Sequence, residues 1–286
     1  MRFAEDAIQE LVCTDGVNRP VHIWQGDVVD AVFVAVHGGM AHAGDWVQVG
    51  QYFKPLGYAT VALDQHGHDG QKRVFIPSFD IFLDDLALLI SWTKQQYPGK
   101  PIILLGHSMG GLIMTHYGLR RLTQPDAQIL GFIQSSPYYV NAIKVPWIME
   151  QLSGLLSAVT PGMAVPIADF TDELTHDPAI TARHKQDAAD NLRATEVSAR
   201  FARELLNAQS YIPDNIGRWS HSLLTFIAGQ DKLADSQATE RLLARISPEL
   251  VTVHSYPDNY HENFNETNRE ELFSIMHEWV QGQRHA

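Results

Sequence analysis

The sequence predicts an α/β protein built on a mostly parallel, doubly wound sheet, and two observations carry that reading. Short runs rich in Val, Ile, Leu and Phe alternate with helical patterns along most of the chain. Most of these runs are continuously apolar rather than alternating, which is what strands covered by helices on both faces require.

In order, strands are expected at 21–25 (VHIWQ), 31–37 (AVFVAVH), 59–64 (ATVALD), 101–106 (PIILLG), 129–135 (ILGFIQS), 223–229 (LLTFIAG) and 250–256 (LVTVHSY). Helical patterns fall between and after them, at 46–56, 79–96, 111–122, 237–246 and 269–283. Residues 138–218 break the rhythm, being strand-poor, helix-rich and punctuated by prolines at 146, 161, 166, 178 and 213. The expected organisation is a core formed by residues 1–137 and 219–286, with 138–218 inserted as a helical cap between the runs 129–135 and 223–229, counted as the sixth and seventh strands of the fold. Such a cap would sit over the carboxyl ends of the strands, where open α/β sheets bind ligands.

Composition limits the function. The 286 residues carry a formal charge of −12 with 45% hydrophobic residues, an ordinary globular make-up. A nucleic-acid groove would need clustered Lys and Arg, so no nucleic-acid partner is expected. The single cysteine, Cys13, cannot form an internal disulfide and reads as a small buried hydrophobe. The first residues, MRFAEDAIQELVCTDG, have acids where a signal peptide has bases, and no run approaches a transmembrane span. The expected setting is cytoplasmic.

The stretch LLGHSMGGLI places Ser108 where a strand hands over to a helix. Gly106-His107-Ser108-Met109-Gly110 fits G-x-S-x-G, and its strand–turn–helix context makes it a nucleophile elbow. Side chains two residues to either side of Ser108 would collide as strand and helix converge, which gives Gly106 and Gly110 a steric reason. A serine hydroxyl needs a base, and that base needs a third group to orient it. In this kind of fold they follow the serine in the order acid, then histidine. Asp231 lies just past the strand 223–229, and His261 lies in the loop after the last strand. Asp235 reads better as a helix N-cap, and Asp258 would have to fold back from the histidine's own loop. Among later histidines, His254 falls in a strand, His277 on the final helix and His285 in the tail.

Attack on a carbonyl also builds negative charge that backbone N–H groups should meet. Met109, directly after the serine, offers one N–H. The loop after 31–37 offers the other, for which Gly39 is the candidate with Gly38 and Met40 as alternatives.

With these residues in place, the chain resembles the monoacylglycerol lipase and lysophospholipase branch of the α/β-hydrolases, nearly end to end. HGGMAHAGDW is similar to the family's oxyanion loop, GHSMGG to its elbow, IAGQDKLAD to its acid segment and YPDNYHENFNE to its histidine loop. The resemblance implies the α/β-hydrolase fold, Ser108 as nucleophile, Asp231 as acid, His261 as base, and Gly39 with Met109 as oxyanion donors. It also implies a substrate with one acyl chain on a small polar alcohol, and no metal or organic cofactor. The chain departs from the family at Ala41, where an acidic residue is usual, and at Asp69, where glycine is usual. The cap matches only in short pieces such as Ser136-Pro137 and Thr175-His176-Asp177-Pro178. Two histidines and two aspartates in the stretch 64–69 invite a metal reading, but their spacing fits a hydrogen-bonded turn below the oxyanion loop better.

In the cap, Ile148, Leu152, Leu155, Leu156 and Val159 follow helical spacing, with Ile143 close before them. Ile143, Ile148, Leu152, Leu155 and Leu156 are therefore expected to line an acyl-chain tunnel, and the cap to touch a lipid interface transiently. The expected function is hydrolysis of monoacylglycerols or similar single-chain esters. Lysophospholipase, short-chain carboxylesterase and aminopeptidase activities, all served by the same triad, are the alternatives.

Overall fold

The computed structural model describes residues 2–143, 154–165 and 167–285. An eight-stranded sheet forms its centre. Its strands are β1 (Ala7–Val12), β2 (Asn18–Trp24), β3 (Ala31–Val36), β4 (Tyr58–Leu63), β6 (Ile102–His107), β7 (Ile129–Ser135), β10 (Leu223–Ala228) and β11 (Val251–Tyr256). They lie in the order β1-β2-β4-β3-β6-β7-β10-β11. From β4 to β11 every pairing is parallel, whereas β2 is antiparallel to both β1 and β4.

The continuous apolar runs now have a physical cause. Along β3, Val32, Val34 and Val36 pack into one hydrophobic layer, while Ala31, Phe33 and Ala35 pack into the other. β6 divides in the same way, with Ile102 and Leu104 on one side and Ile103 and Leu105 on the other. Helices α2 (Asp80–Gln96) and α3 (Met109–Arg120) cover the first face. Helices α1 (Val47–Phe53) and the C-terminal α7 (Arg269–His285) cover the second.

β1 was not expected from the sequence. It is an edge strand of mostly exposed or half-buried residues, so its sequence carries no continuous apolar signal. The helical pattern at 46–56 is also shorter as α-helix, because 3-10 turns at Ala43–Trp46 and Lys54–Leu56 flank α1. Pro55 falls in the second of these, where it cannot donate to a continuing helix.

The chain between β7 and β10 is less strand-poor than expected. Its β8 (Ala164–Val165) and β9 (Glu196–Ser198) join β5 (Arg73–Val74) in a small three-stranded sheet. Residues 154–159 are helical, followed by α4 (Pro178–Ala189) and α5 (Ala199–Asn215). Asp177 starts α4, its carboxylate accepting the N–H groups of Ala179 and Ile180 ahead of a proline at the first helical position. Ser198 does the same for α5 through the N–H of Phe201 at 3.1 Å. The remaining helix, α6 (Ser236–Leu243), follows β10.

Candidate active site

Ser108 sits between the end of β6 and the first turn of α3 with φ 53° and ψ −117°, a conformation that costs a non-glycine residue about 1–3 kcal/mol. The surroundings hold it there. A Cβ on Gly110 would lie 2.0 Å from the carbonyl oxygen of Val36, and one on Gly106 would lie 2.7 Å from the backbone of Gly110. Strand, elbow and helix can therefore converge only with glycine at both positions. Gly111, the next residue, faces Pro137, whose Cβ would lie 2.8 Å from an added Cβ.

His261 and Asp231 meet at the carboxyl ends of β11 and β10. The imidazole Nδ1 lies 2.7 Å from Asp231 Oδ2, and both side chains are almost fully buried. Asp231 Oδ1 accepts the N–H groups of Leu233 at 2.8 Å and Ala234 at 3.0 Å. Burial alone would raise the carboxyl's pKa, but His261 and these N–H groups together hold it below the usual range. Burial likewise pushes His261 down, and the attraction and hydrogen bond of Asp231 more than offset it, leaving the imidazole above its ordinary value. Asp235 caps α6 through the N–H of Ala238, which occupies its carboxylate away from the histidine. His254 lies in β11 and His277 on α7.

Ser108, His261 and the loop residues Gly38, Gly39 and Met40 all line one cavity of about 280 Å³. Among the described residues, the N–H groups of Gly39 and Met109 have no acceptor within the protein, and neither do those of Gly38 and Met40. The loop is pinned from below by two buried side chains. His37 Nδ1 donates to the carbonyl of Gly38 at 2.7 Å, and its Nε2 accepts the N–H of Gln65 at 2.9 Å. Burial takes the His37 imidazole down to a pKa of about 4, so this bridge stays neutral. Asp64 Oδ1 accepts the N–H of Ala43 at 2.7 Å. The 64–69 stretch thus supplies hydrogen-bonded support to the loop that follows β3.

Among the described residues, the predicted acyl-chain residues do not line this cavity. Ile143 is 52% and Leu155 61% exposed, and neither they nor Leu156 lines it; Ile148 and Leu152 lie outside the described residues. The apolar wall comes instead from Trp46, Ile167, Phe170, Leu174 and Phe264. Charged side chains line the same cavity: Asp45, His184, Arg193 and Glu262. Sequence reasoning missed this group, because its members are strangers along the chain: Arg193 Nη2 lies 3.1 Å from both Asp45 and Glu262, and His184 Nε2 lies 2.8 Å from Glu262. The one local signal is Glu262, directly after the histidine.

His42, Asp45 and Asp187 present donor atoms within 4.8 Å of one another, a spacing a metal could use. The two carboxylates are already matched by guanidinium groups, Arg2 on Asp187 at 2.6 Å and Arg183 and Arg193 on Asp45 at 3.3 and 3.1 Å. The cluster reads as an ion-pair network rather than a metal centre.

A serine on a strained strand–helix turn, in an eight-stranded doubly wound sheet, with a histidine–carboxylate pair opening on the same cavity, defines a hydrolase of the α/β-hydrolase fold. Residues 27–268 match the family described as serine aminopeptidase, S33, and the chain belongs to it. A monoacylglycerol lipase of Mycolicibacterium smegmatis is 30% identical over 93% of each chain. A phospholipase of Bacillus subtilis is 29% identical over 87% of this chain and 95% of its own. The crystal structure of Paleococcus ferrophilus monoacylglycerol lipase superposes with a TM-score of 0.79 at 21% identity, covering 93% of this chain and all of that one. The protein is a carboxylic ester hydrolase. No helix among the described residues is long and apolar enough to cross a membrane.

Proposed function

We propose that the protein cleaves single-acyl-chain esters, monoacylglycerols foremost, through an acyl-enzyme on Ser108. The observation that carries this reading is the cavity itself: Ser108 in its strained turn, the 2.7 Å His261–Asp231 pair, and a lining that combines apolar and charged side chains. His261, oriented through Nδ1 by Asp231, presents Nε2 to take the serine proton. Ser108 Oγ attacks the ester carbonyl, and the N–H groups of Gly39 and Met109 receive the oxyanion. The alcohol leaves with the proton from His261, which then activates a water to release the fatty acid.

Residues 138–218 act as the cap. They supply Ile167, Phe170 and Leu174 to the apolar wall, and an acyl chain placed there gains about 0.8 kcal/mol per buried methylene. Leu155 and Val159, with Met163 close by in the chain, are exposed on the cap and suit transient contact with a lipid interface better than a tunnel wall. A cytoplasmic setting suits the single buried cysteine.

The test is a panel of p-nitrophenyl esters from two to sixteen carbons beside 1-monoacylglycerol, with fluorophosphonate labelling of wild type and Ser108→Ala. Labelling of wild type alone, with monoacylglycerol and medium-chain esters cleaved, is expected. Fast cleavage of acetate with inert monoacylglycerol would sink the proposal. A second reading, lysophospholipase, is favoured by the Bacillus subtilis relative, and lysophosphatidylcholine belongs in the same panel. An aminoacyl p-nitroanilide tests the peptidase alternative and is expected to be inert.

A further inference from the structure

The charged wall of the cavity holds more than the proposed mechanism uses. Arg193 is nine-tenths buried and lines the cavity beside Asp45 and Glu262. All its contacts to neighbouring side chains run through Nη2: Glu262 Oε1 and Asp45 Oδ2 at 3.1 Å and His184 Nε2 at 3.4 Å. Among the described residues its Nε and Nη1 have no acceptor, and neither atom is sealed off from solvent. A guanidinium held by one nitrogen thus keeps the other two as free donors on a residue that lines the same cavity as Ser108.

The neighbouring charges decide what those donors can hold. Asp45, Glu262 and the cap residue Asp169 also line the cavity, so among its described lining residues carboxylates outnumber the guanidinium. A phosphate drawn to Arg193 would meet those carboxylates. A hydroxyl would not, since it can accept from a guanidinium N–H and donate to a carboxylate at once.

Resting on the proposed ester hydrolysis, we infer that Arg193, with Asp45 and Glu262, forms the subsite for the alcohol part of the substrate and selects an uncharged polyol ester over one whose headgroup carries phosphate. The acyl chain then runs along Ile167, Phe170 and Leu174, and the alcohol faces the ion-pair wall. A site built to hydrogen-bond a hydroxyl rejects an analogue lacking it far more strongly than an apolar pocket rejects an extra one.

The experiment holds the acyl group constant and varies the alcohol. kcat/KM is measured for 1-decanoylglycerol, methyl decanoate and decanoyl lysophosphatidylcholine in wild type, Arg193→Lys and Arg193→Gln, with fluorophosphonate labelling of Ser108 as the check that each variant is folded. In wild type the glycerol ester should exceed both others by tenfold or more. Arg193→Lys, which keeps the charge but loses the fork, should erase most of that preference through the glycerol ester alone, leaving methyl decanoate within about threefold. Asp45→Asn should raise lysophosphatidylcholine relative to the glycerol ester. Equal cleavage of the glycerol and methyl esters by wild type overturns the subsite, as does loss of both together in labelled variants, or lysophosphatidylcholine being the best substrate. Failure of every ester to be cleaved in a Ser108-dependent way overturns the ester-hydrolase reading instead, so the two failures differ.

Discussion

His261 Nδ1 and Asp231 Oδ2 lie 2.7 Å apart, and each is anchored independently of the other. Asp231 is fixed by the N–H groups of Leu233 and Ala234. The histidine's loop is fixed by Asn263, whose amide donates to Ser136 Oγ at 3.0 Å, and by Asn259, whose amide donates to Asn263 Oδ1 at 2.9 Å. The pair is therefore preorganised before substrate arrives.

If that pair sets the imidazole tautomer, Asp231→Asn should lower kcat/KM by roughly ten thousandfold with little change in KM. Steady-state kinetics on a medium-chain ester checks it. A loss under tenfold would place the orienting acid elsewhere.

The same pair fixes the direction of the pH response. The base must be neutral to accept the serine proton, and Asp231 outweighs burial in holding the imidazole above its ordinary value. kcat/KM should therefore rise with pH, its half-maximum lying above 6.5. A profile already flat from pH 5 to 8 would contradict the assignment of His261.

Backbone crowding at the elbow separates two glycines that look alike in sequence. At Gly110 a Cβ would meet the Val36 carbonyl at 2.0 Å, so Gly110→Ala should cost about 3 kcal/mol or prevent folding. At Gly39 the nearest atom would be Met109 Sδ at 3.7 Å, an ordinary contact. Gly39→Ala should stay within about 1 kcal/mol of wild type and keep fluorophosphonate labelling, because its N–H is retained. Urea unfolding of both variants makes the comparison.

The ion-pair wall gives an acid limit to stability. Burial pushes the Glu262 carboxyl up, but His184 and Arg193 hold it well below its usual range. Arg193, with two histidines and Arg183, does the same for Asp45. A depressed carboxylate contributes stability above its unfolded pKa, near 4, and loses it as pH falls through the folded value. Thermal midpoints should drop steeply below about pH 4 in wild type and less steeply in Glu262→Gln. Parallel curves for the two proteins would show that Glu262 carries none of the effect.

How much of this was legible in the sequence depends on how local each signal was. Ser108 and Asp231 each sit just past a strand whose continuous apolar run is visible, His261 lies in the loop after the last strand, and chain order suggests their roles. β1 left no such mark, because an exposed edge strand needs no apolar face. The apolar stripe after residue 143 was less legible for a related reason. Helical spacing at 148, 152, 155, 156 and 159 reported that an apolar stripe existed, but spacing alone does not say whether a stripe faces a cavity or solvent, and Leu155 and Val159 are exposed.

By itself the sequence determined the doubly wound sheet, the strained serine and the order of the groups that serve it, since these follow from periodicity, glycine sterics and strand–loop junctions. Only the tertiary structure decided which charged groups share the serine's cavity. Arg193 reaches Glu262 across 69 residues and Asp45 from another element altogether, and an ion pair between distant segments leaves no periodic trace in any of them. Its geometry exists only once the cap and the strand ends share one buried cavity.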